Sequence, residues 1–122
     1  MKKIILASLL ALTGSVAMAA TACSAGVSTA VPGSTDGSTF VRVGFSAACS
    51  ANSIVVYTDS AANQKVYGGA VSVKGASYYG GSTLGGAIQR VGACTNNSCG
   101  GTEGTSKAAA GMTAADAYGA SS

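Results

Sequence analysis

The chain is 122 residues long, 48% hydrophobic and 9% charged, with a formal net charge of +3. This length is enough for one domain and excludes a multidomain organisation. Two of the seven Lys and Arg residues, Lys2 and Lys3, lie in an N-terminal leader, so the remainder carries five against four Asp and Glu. Because that remainder is close to neutral, the charge gives no support for a nucleic-acid partner, and we predict none.

The first part of the chain has the organisation of a bacterial secretory signal peptide. Lys2 and Lys3 precede an apolar run over residues 4–16, and residues 17–19 form a small-x-small cleavage site. We predict a signal peptide over residues 1–19, cleavage after Ala19, and export to the periplasm, cell surface or exterior of a bacterium. The apolar run is too short to span a bilayer, so no stable membrane insertion is predicted after leader removal. Lipidation of Cys23 is the alternative, but the large aliphatic residue that usually precedes such a cysteine is missing.

The four cysteines lie in the predicted exported part, where an oxidising compartment favours disulfides. Four cysteines allow three connectivities. We favour Cys23 with Cys49 and Cys94 with Cys99, because residues 95–98 are turn-forming and can bring the last two cysteines within disulfide reach. A zinc site is the alternative, but the chain has no histidine and the cysteine spacing fits poorly, so we predict no metal site.

The pattern of side chains predicts a domain made of short strands. Alternation over residues 38–49 predicts a half-buried strand, and the β-branched run at residues 54–58 predicts a strand covered on both faces. Further brief strands are predicted near residues 26–31, 64–67, 70–74, 76–79 and 87–93. Such short, closely spaced strands predict an all-β domain over residues 20–99, folded as a small disulfide-linked antiparallel β-sandwich or barrel.

The C-terminal part, residues 100–122, consists mainly of Gly, Ala, Ser and Thr. We predict that it is a flexible, low-complexity polar tail. The alternative is a short alanine-rich helix over residues 107–118, with Thr113 and Asp116 at capping-box spacing. The sequence shows no apolar stripe that would hold such a helix against the domain.

The inventory of reactive side chains predicts no catalytic residue and no cofactor. The chain has no histidine, so the usual general base at neutral pH is absent. The four acids are far apart in the sequence, and no serine lies in a Gly-x-Ser-x-Gly turn or three residues before a lysine. We therefore predict that the protein is not an enzyme.

Two segments are candidates for binding. Tyr78 and Tyr79, followed by two glycines and a serine, combine rigid aromatic area with adaptable hydrogen bonding, as recognition loops do. They could contact a glycan or a protein partner, or one tyrosine could face the core and the other the solvent. The uncharged, proline-free residues 53–58 could pair between chains, or form a covered central strand.

A cysteine follows soon after the leader, and an alternating segment from Phe40 to Phe45 runs up to Cys49. In these features residues 22–58 are similar to small exported fimbrial or spore-coat-U-type subunits. The resemblance implies a β-sandwich subunit that assembles into surface fibres. The chain differs in its second cysteine pair and its polar C-terminal part. We predict a secreted, non-catalytic structural or surface-assembly protein that self-associates through edge strands; the alternative is a monomeric binding module for a glycan or protein partner.

Overall fold

The computed structural model describes residues 19–85 and 87–118, and the predicted signal peptide, apart from its last residue, lies outside this part. The described residues form six strands, a short 3-10 turn and one α-helix. In chain order these are β1 (Ala19–Ser24), β2 (Val27–Ser28), β3 (Ser53–Ser60), β4 (Lys65–Ser72), β5 (Ser77–Ser82), β6 (Gln89–Ala93), the turn Thr95–Asn97 and α1 (Gly101–Asp116).

The six described strands form one antiparallel sheet in the order β2-β1-β3-β4-β5-β6. The predicted β-rich, antiparallel and disulfide-linked character is confirmed. The sandwich or barrel is not, because the described strands form a single open sheet. α1 packs across β3, β4 and β5 on one side of this sheet. We call the opposite side the open face.

The central strand β3 shows how the sequence divides between the two faces. Ile54, Val56 and Thr58 are buried under α1, whereas Val55 and Tyr57 between them point to the open face and are half-buried. The predicted strand is therefore present, but the expectation that it is covered on both faces is wrong. Because β3 is hydrogen-bonded to β1 on one side and β4 on the other, it has no edge for pairing with another chain.

α1 lies directly on the backbone of the sheet because both surfaces are built from small residues. Gly69 of β4 and Gly80 of β5 are register partners. A Cβ atom on Gly69 would overlap the carbonyl oxygen of Ala108, and one on Gly80 would overlap that of Gly111. Ala115, on the same side of the helix, is fully buried. Close approach therefore depends on the absence of side chains.

The prediction of a flexible tail over residues 100–122 is wrong for the part that forms α1. Thr58 Oγ1 donates a hydrogen bond to the Met112 sulfur at 3.1 Å, which ties the helix to β3. Lys65 Nζ donates to the Asp116 carbonyl oxygen at 2.7 Å and forms an ion pair with the Asp116 carboxylate. The sheet thus binds the middle and the end of α1, although Met112 is the only large apolar residue within Gly101–Asp116.

The predicted strand over residues 38–49 is also wrong. That segment belongs to a long loop, residues 29–52, whose ladder pairing is limited to one isolated bridge between Val31 and Phe45. Alternation alone does not make a strand, because a strand also needs a neighbour with open hydrogen-bonding groups. β1 is already paired with β2 and β3, and β2, the edge strand on that side, has only two residues.

Both disulfides join the pairs that the spacing favours. Cys23–Cys49 ties the long loop to β1, with the Cα atoms 5.6 Å apart. Cys94–Cys99 closes a small loop just before α1, with the Cα atoms 5.3 Å apart. Both cysteines of the second pair belong to the hydrophobic core, together with Ile54, Val56, Val71, Ala108 and Met112. This disulfide therefore fixes the start of α1 to the core.

Candidate binding face

The open face is apolar where it crosses the middle of the sheet. Gly68 of β4 and Gly81 of β5 are register partners, in the same way as Gly69 and Gly80 on the helix side. Since neighbouring residues of a strand point to opposite faces, each glycine doublet leaves one bare position on each side of the sheet. Gly68 and Gly81 therefore form a floor without side chains on the open face.

Apolar side chains surround this glycine floor and enclose a depression of about 330 Å³, which we call the hollow. Its main walls are Tyr57, Val66, Ala70, Tyr79 and Ile88. A Cβ atom on Gly81 would lie 3.2 Å from Ile88 Cγ1, and one on Gly68 would lie 2.9 Å from the Val56 carbonyl oxygen. The hollow thus depends on glycine at both positions.

Two walls of the hollow are unusually accessible for apolar side chains. Ile88 is 75% exposed and Tyr79 is 41% exposed. A cluster of exposed apolar groups around a depression is typical of an interaction site, whereas single exposed apolar residues are common everywhere.

The hydroxyl groups beside the hollow are already hydrogen-bonded. Thr83 Oγ1 accepts from the Val66 backbone N–H at 3.0 Å, and Ser82 Oγ accepts from the Leu84 backbone N–H at 3.2 Å. These hydroxyls keep their O–H donors, but apart from them and the phenols of Tyr57 and Tyr79 the lining is mainly apolar. Small-molecule sites fix the many hydroxyls of a sugar with well-placed polar partners. The lining therefore suits an apolar group better than a glycan.

The phenol of Tyr57 stays uncharged at neutral pH. Burial, followed by the nearby negative charge of Asp59, raises the pKa of Tyr57 above its ordinary value of 10.0. The Asp59 carboxylate itself accepts hydrogen bonds from the backbone N–H groups of Phe40 at 2.6 Å and Val41 at 3.0 Å. This acid therefore fastens the long loop to the sheet.

The structure separates the two tyrosines that the sequence proposed as a binding pair. Tyr78 points to the helix side, where it packs against the core and its ring centroid lies 5.3 Å from Lys107 Nζ. Tyr79 points to the open face and lines the hollow. The reading in which one tyrosine faces the core and its neighbour faces outward therefore describes their positions, and the hollow contains Tyr79 without Tyr78.

Sequence reasoning missed Tyr57, Ile88 and the glycine floor. The signal was present in the two doublets, Gly68–Gly69 and Gly80–Gly81. Glycine pairs in successive strands mark either turns or a place where two bare backbones lie side by side. Only the register of β4 against β5 decides between these, and a single sequence does not supply it.

The sheet edges are less suited to association than the open face. β2 has two residues and β6 has five. The pairing of β6 with β5 shifts between Tyr78 and Tyr79, which leaves Val91 out of register, and Arg90 places a charge on this strand. Short length, an irregularity and a charge are the features by which edge strands avoid pairing with other chains.

The cellular setting and the comparisons give coarser information. Two disulfides fit an oxidising, non-cytoplasmic environment. α1 is neither long nor apolar enough to cross a bilayer. Within residues 19–85 and 87–118, no group of three or more Cys, Asp or Glu side chains is arranged to hold a metal ion. Comparison with models of protein families, with curated proteins and with solved structures found no match to this chain.

Proposed function

We propose that this chain is an exported, non-catalytic structural or surface-assembly protein, and that it self-associates through its open face. The observation that carries this proposal is the uncharged hollow, with the exposed Ile88 and Tyr79 at its rim. Covering such a surface removes apolar area from water, a contribution of about 25 cal/mol per Å² before the entropic cost of association is subtracted. This differs from the edge-strand pairing that the sequence predicts.

Features outside the hollow are consistent with a rigid building block. The two disulfides and the tight contact of α1 with the sheet restrict the backbone before any partner arrives. A preorganised surface loses less conformational entropy on association than a mobile one. The resemblance to fimbrial and spore-coat-U-type subunits supports the same class of function and remains a prediction.

The proposal is tested by measuring the mass of the purified, oxidised chain in solution by analytical ultracentrifugation over a wide concentration range. We expect association that is weakened by Ile88→Asp and by Tyr79→Asp, because each places a charge in the apolar contact. Val27→Asp is the matched control, since Val27 is 65% exposed on β2, away from the hollow. A chain that stays folded and monomeric at every concentration would contradict the proposal.

The second candidate is a monomeric secreted module that binds a partner in the hollow. Its volume of about 330 Å³ lies at the lower end of the range for ligand sites. The lining favours an apolar segment of a protein partner over a glycan. This candidate predicts a monomer whose partner binding is lost in Tyr79→Asp and retained in Val27→Asp.

A further inference from the structure

The geometry points to a specific occupant of the hollow, namely the apolar residues Val43 and Phe45 of a second copy of this chain, in a reciprocal contact about a two-fold axis. This inference rests on the proposed function, because it assumes self-association through the open face. It adds which segment enters the hollow and predicts that the assembly closes as a dimer.

The long loop presents these two residues to solvent. Val43 is 80% exposed and Phe45 is 55% exposed. The position of Phe45 is fixed nonetheless, because its backbone N–H donates to the Val31 carbonyl at 3.0 Å and its carbonyl accepts from the Val31 N–H at 2.7 Å. Two exposed apolar side chains on a held backbone form an apolar surface that an association can cover with little loss of conformational entropy.

The loop and the hollow belong to the same face of the sheet. Cys23 is the register partner of Val55, whose side chain points to the open face, so the Cys23–Cys49 disulfide anchors the loop on that side. Asp59 is two residues after Tyr57 in β3 and therefore points to the same face, where it holds the loop at a second point. Two copies related by a two-fold axis can therefore each place the loop in the partner's hollow, and such an isologous contact closes as a dimer.

The centres of the two surfaces are both uncharged. Neither residues 43–45 nor the hollow contributes a charged side chain to the contact. Beside the hollow, Arg90 is the register partner of Tyr79. The loop carries Asp36, whose carboxylate is hydrogen-bonded to Ser34 and to the backbone N–H of Ser38. These bonds lower the pKa of Asp36 to about 2, so it is negative at neutral pH.

A dimer thus pairs two uncharged apolar centres, with Asp36 and Arg42 beside the loop residues and Arg90 beside the hollow. Arg42 is the remaining charged residue of the loop. It is exposed, and its guanidinium group can stay in water.

A charge-exchange experiment tests the contact on the full oxidised chain. Val43→Asp and Ile88→Lys each place a charge in the apolar contact, and we expect each to weaken dimerisation at least about tenfold. In a chain with both substitutions, each new aspartate faces the partner's new lysine, so we expect most of the affinity to return. Val27→Asp should leave the dimerisation constant unchanged. Circular dichroism and the absence of titratable thiols establish that each variant is folded and oxidised.

The outcomes separate this inference from the proposed function. Weaker dimerisation in both single variants, with recovery of dimerisation in the double variant, supports the reciprocal contact. If Ile88→Lys abolishes association but Val43→Asp does not, or if the double variant shows no recovery, the loop is not the occupant and the inference is overturned while assembly through the open face stands. Open-ended polymers in place of a dimer also overturn it. A wild-type chain that is monomeric throughout overturns both proposals.

Discussion

Gly69 of β4 lies directly opposite Gly80 of β5, and the backbone of α1 rests on both. This pair determines how closely the helix approaches the sheet. Neither position accepts a Cβ atom without displacing a helix carbonyl oxygen, that of Ala108 or that of Gly111. The packing of α1 on the sheet therefore depends on two residues that contribute no side chain.

We expect Gly69→Ala and Gly80→Ala to lower the free energy of unfolding by about 1–3 kcal/mol each, the usual cost of overpacking. Urea unfolding followed by far-UV circular dichroism measures this change. Gly100→Ala is the control for the close contact, because a Cβ atom there meets its nearest neighbour at 3.6 Å. Gly100 is the N-cap of α1, so the expected cost is that of a poorer cap, about 0.5–1 kcal/mol. Equal losses at all three positions would contradict the close contact.

Lys65 should hold the end of α1. Its side chain is buried and its ammonium group donates to the Asp116 carbonyl, so Lys65→Met keeps the apolar stem and removes a charged hydrogen bond, at a cost of about 1.5–3 kcal/mol. Hydrogen exchange should become faster in the last turn of α1 and stay unchanged in β3. Lys74→Met, at an exposed lysine, is the matched control.

The stability of the helix start should depend on pH through Glu103. The Thr95 backbone N–H donates to the Glu103 carboxylate at 2.6 Å, and this bond lowers the pKa of Glu103 below its ordinary value of 4.5. Because the folded pKa is lower than the unfolded one, the stabilisation is complete above pH 4.5 and is lost as the pH falls through the folded pKa. Urea midpoints between pH 7 and pH 3 should fall less steeply in Glu103→Gln.

The contribution of Asp36 to the free energy of unfolding should be lost at a lower pH than that of Glu103. Its pKa of about 2, against an ordinary value of 3.8, means that its contribution is complete above pH 3.8 and disappears as the pH approaches 2. The Asp36→Asn variant should therefore match the wild type in its pH dependence between pH 7 and pH 4 and differ only below that range. An earlier divergence would contradict the hydrogen-bonded turn from Ser34 to Ser38.

The two disulfides should protect different parts of the molecule. On the loop-entropy model, removing Cys23–Cys49 costs about 3.6 kcal/mol and removing Cys94–Cys99 about 2 kcal/mol. The second pair also lies in the core, so replacing it with alanine adds the loss of buried contacts. Hydrogen exchange should increase in the long loop for Cys23→Ala/Cys49→Ala and in the first turns of α1 for Cys94→Ala/Cys99→Ala.

The sequence predicted those features that rest on local patterns. The β-branched residues of β3 identify a strand by themselves, and the cysteine spacing favours the observed disulfide pairs. A helix over residues 107–118 was only the alternative prediction, because the contact of α1 uses Gly111 and Ala108, which give no apolar stripe. The strand expected over residues 38–49 failed because alternation says nothing about whether a neighbouring strand is available. The hollow needed the register between two strands, which is a tertiary property.

Where the two glycine doublets lie side by side, the sheet consists of backbone without side chains. Helix α1 lies on one side of this backbone and the hollow on the other, so a single layer of backbone separates them. Within each doublet, the two glycines face opposite sides of the sheet. The backbone of all four glycines lines the hollow, but a Cβ atom on Gly69 or Gly80 would meet α1, whereas one on Gly81 would meet Ile88. A Cβ atom on Gly68 would meet the Val56 carbonyl oxygen, so that position affects the sheet as well as the hollow.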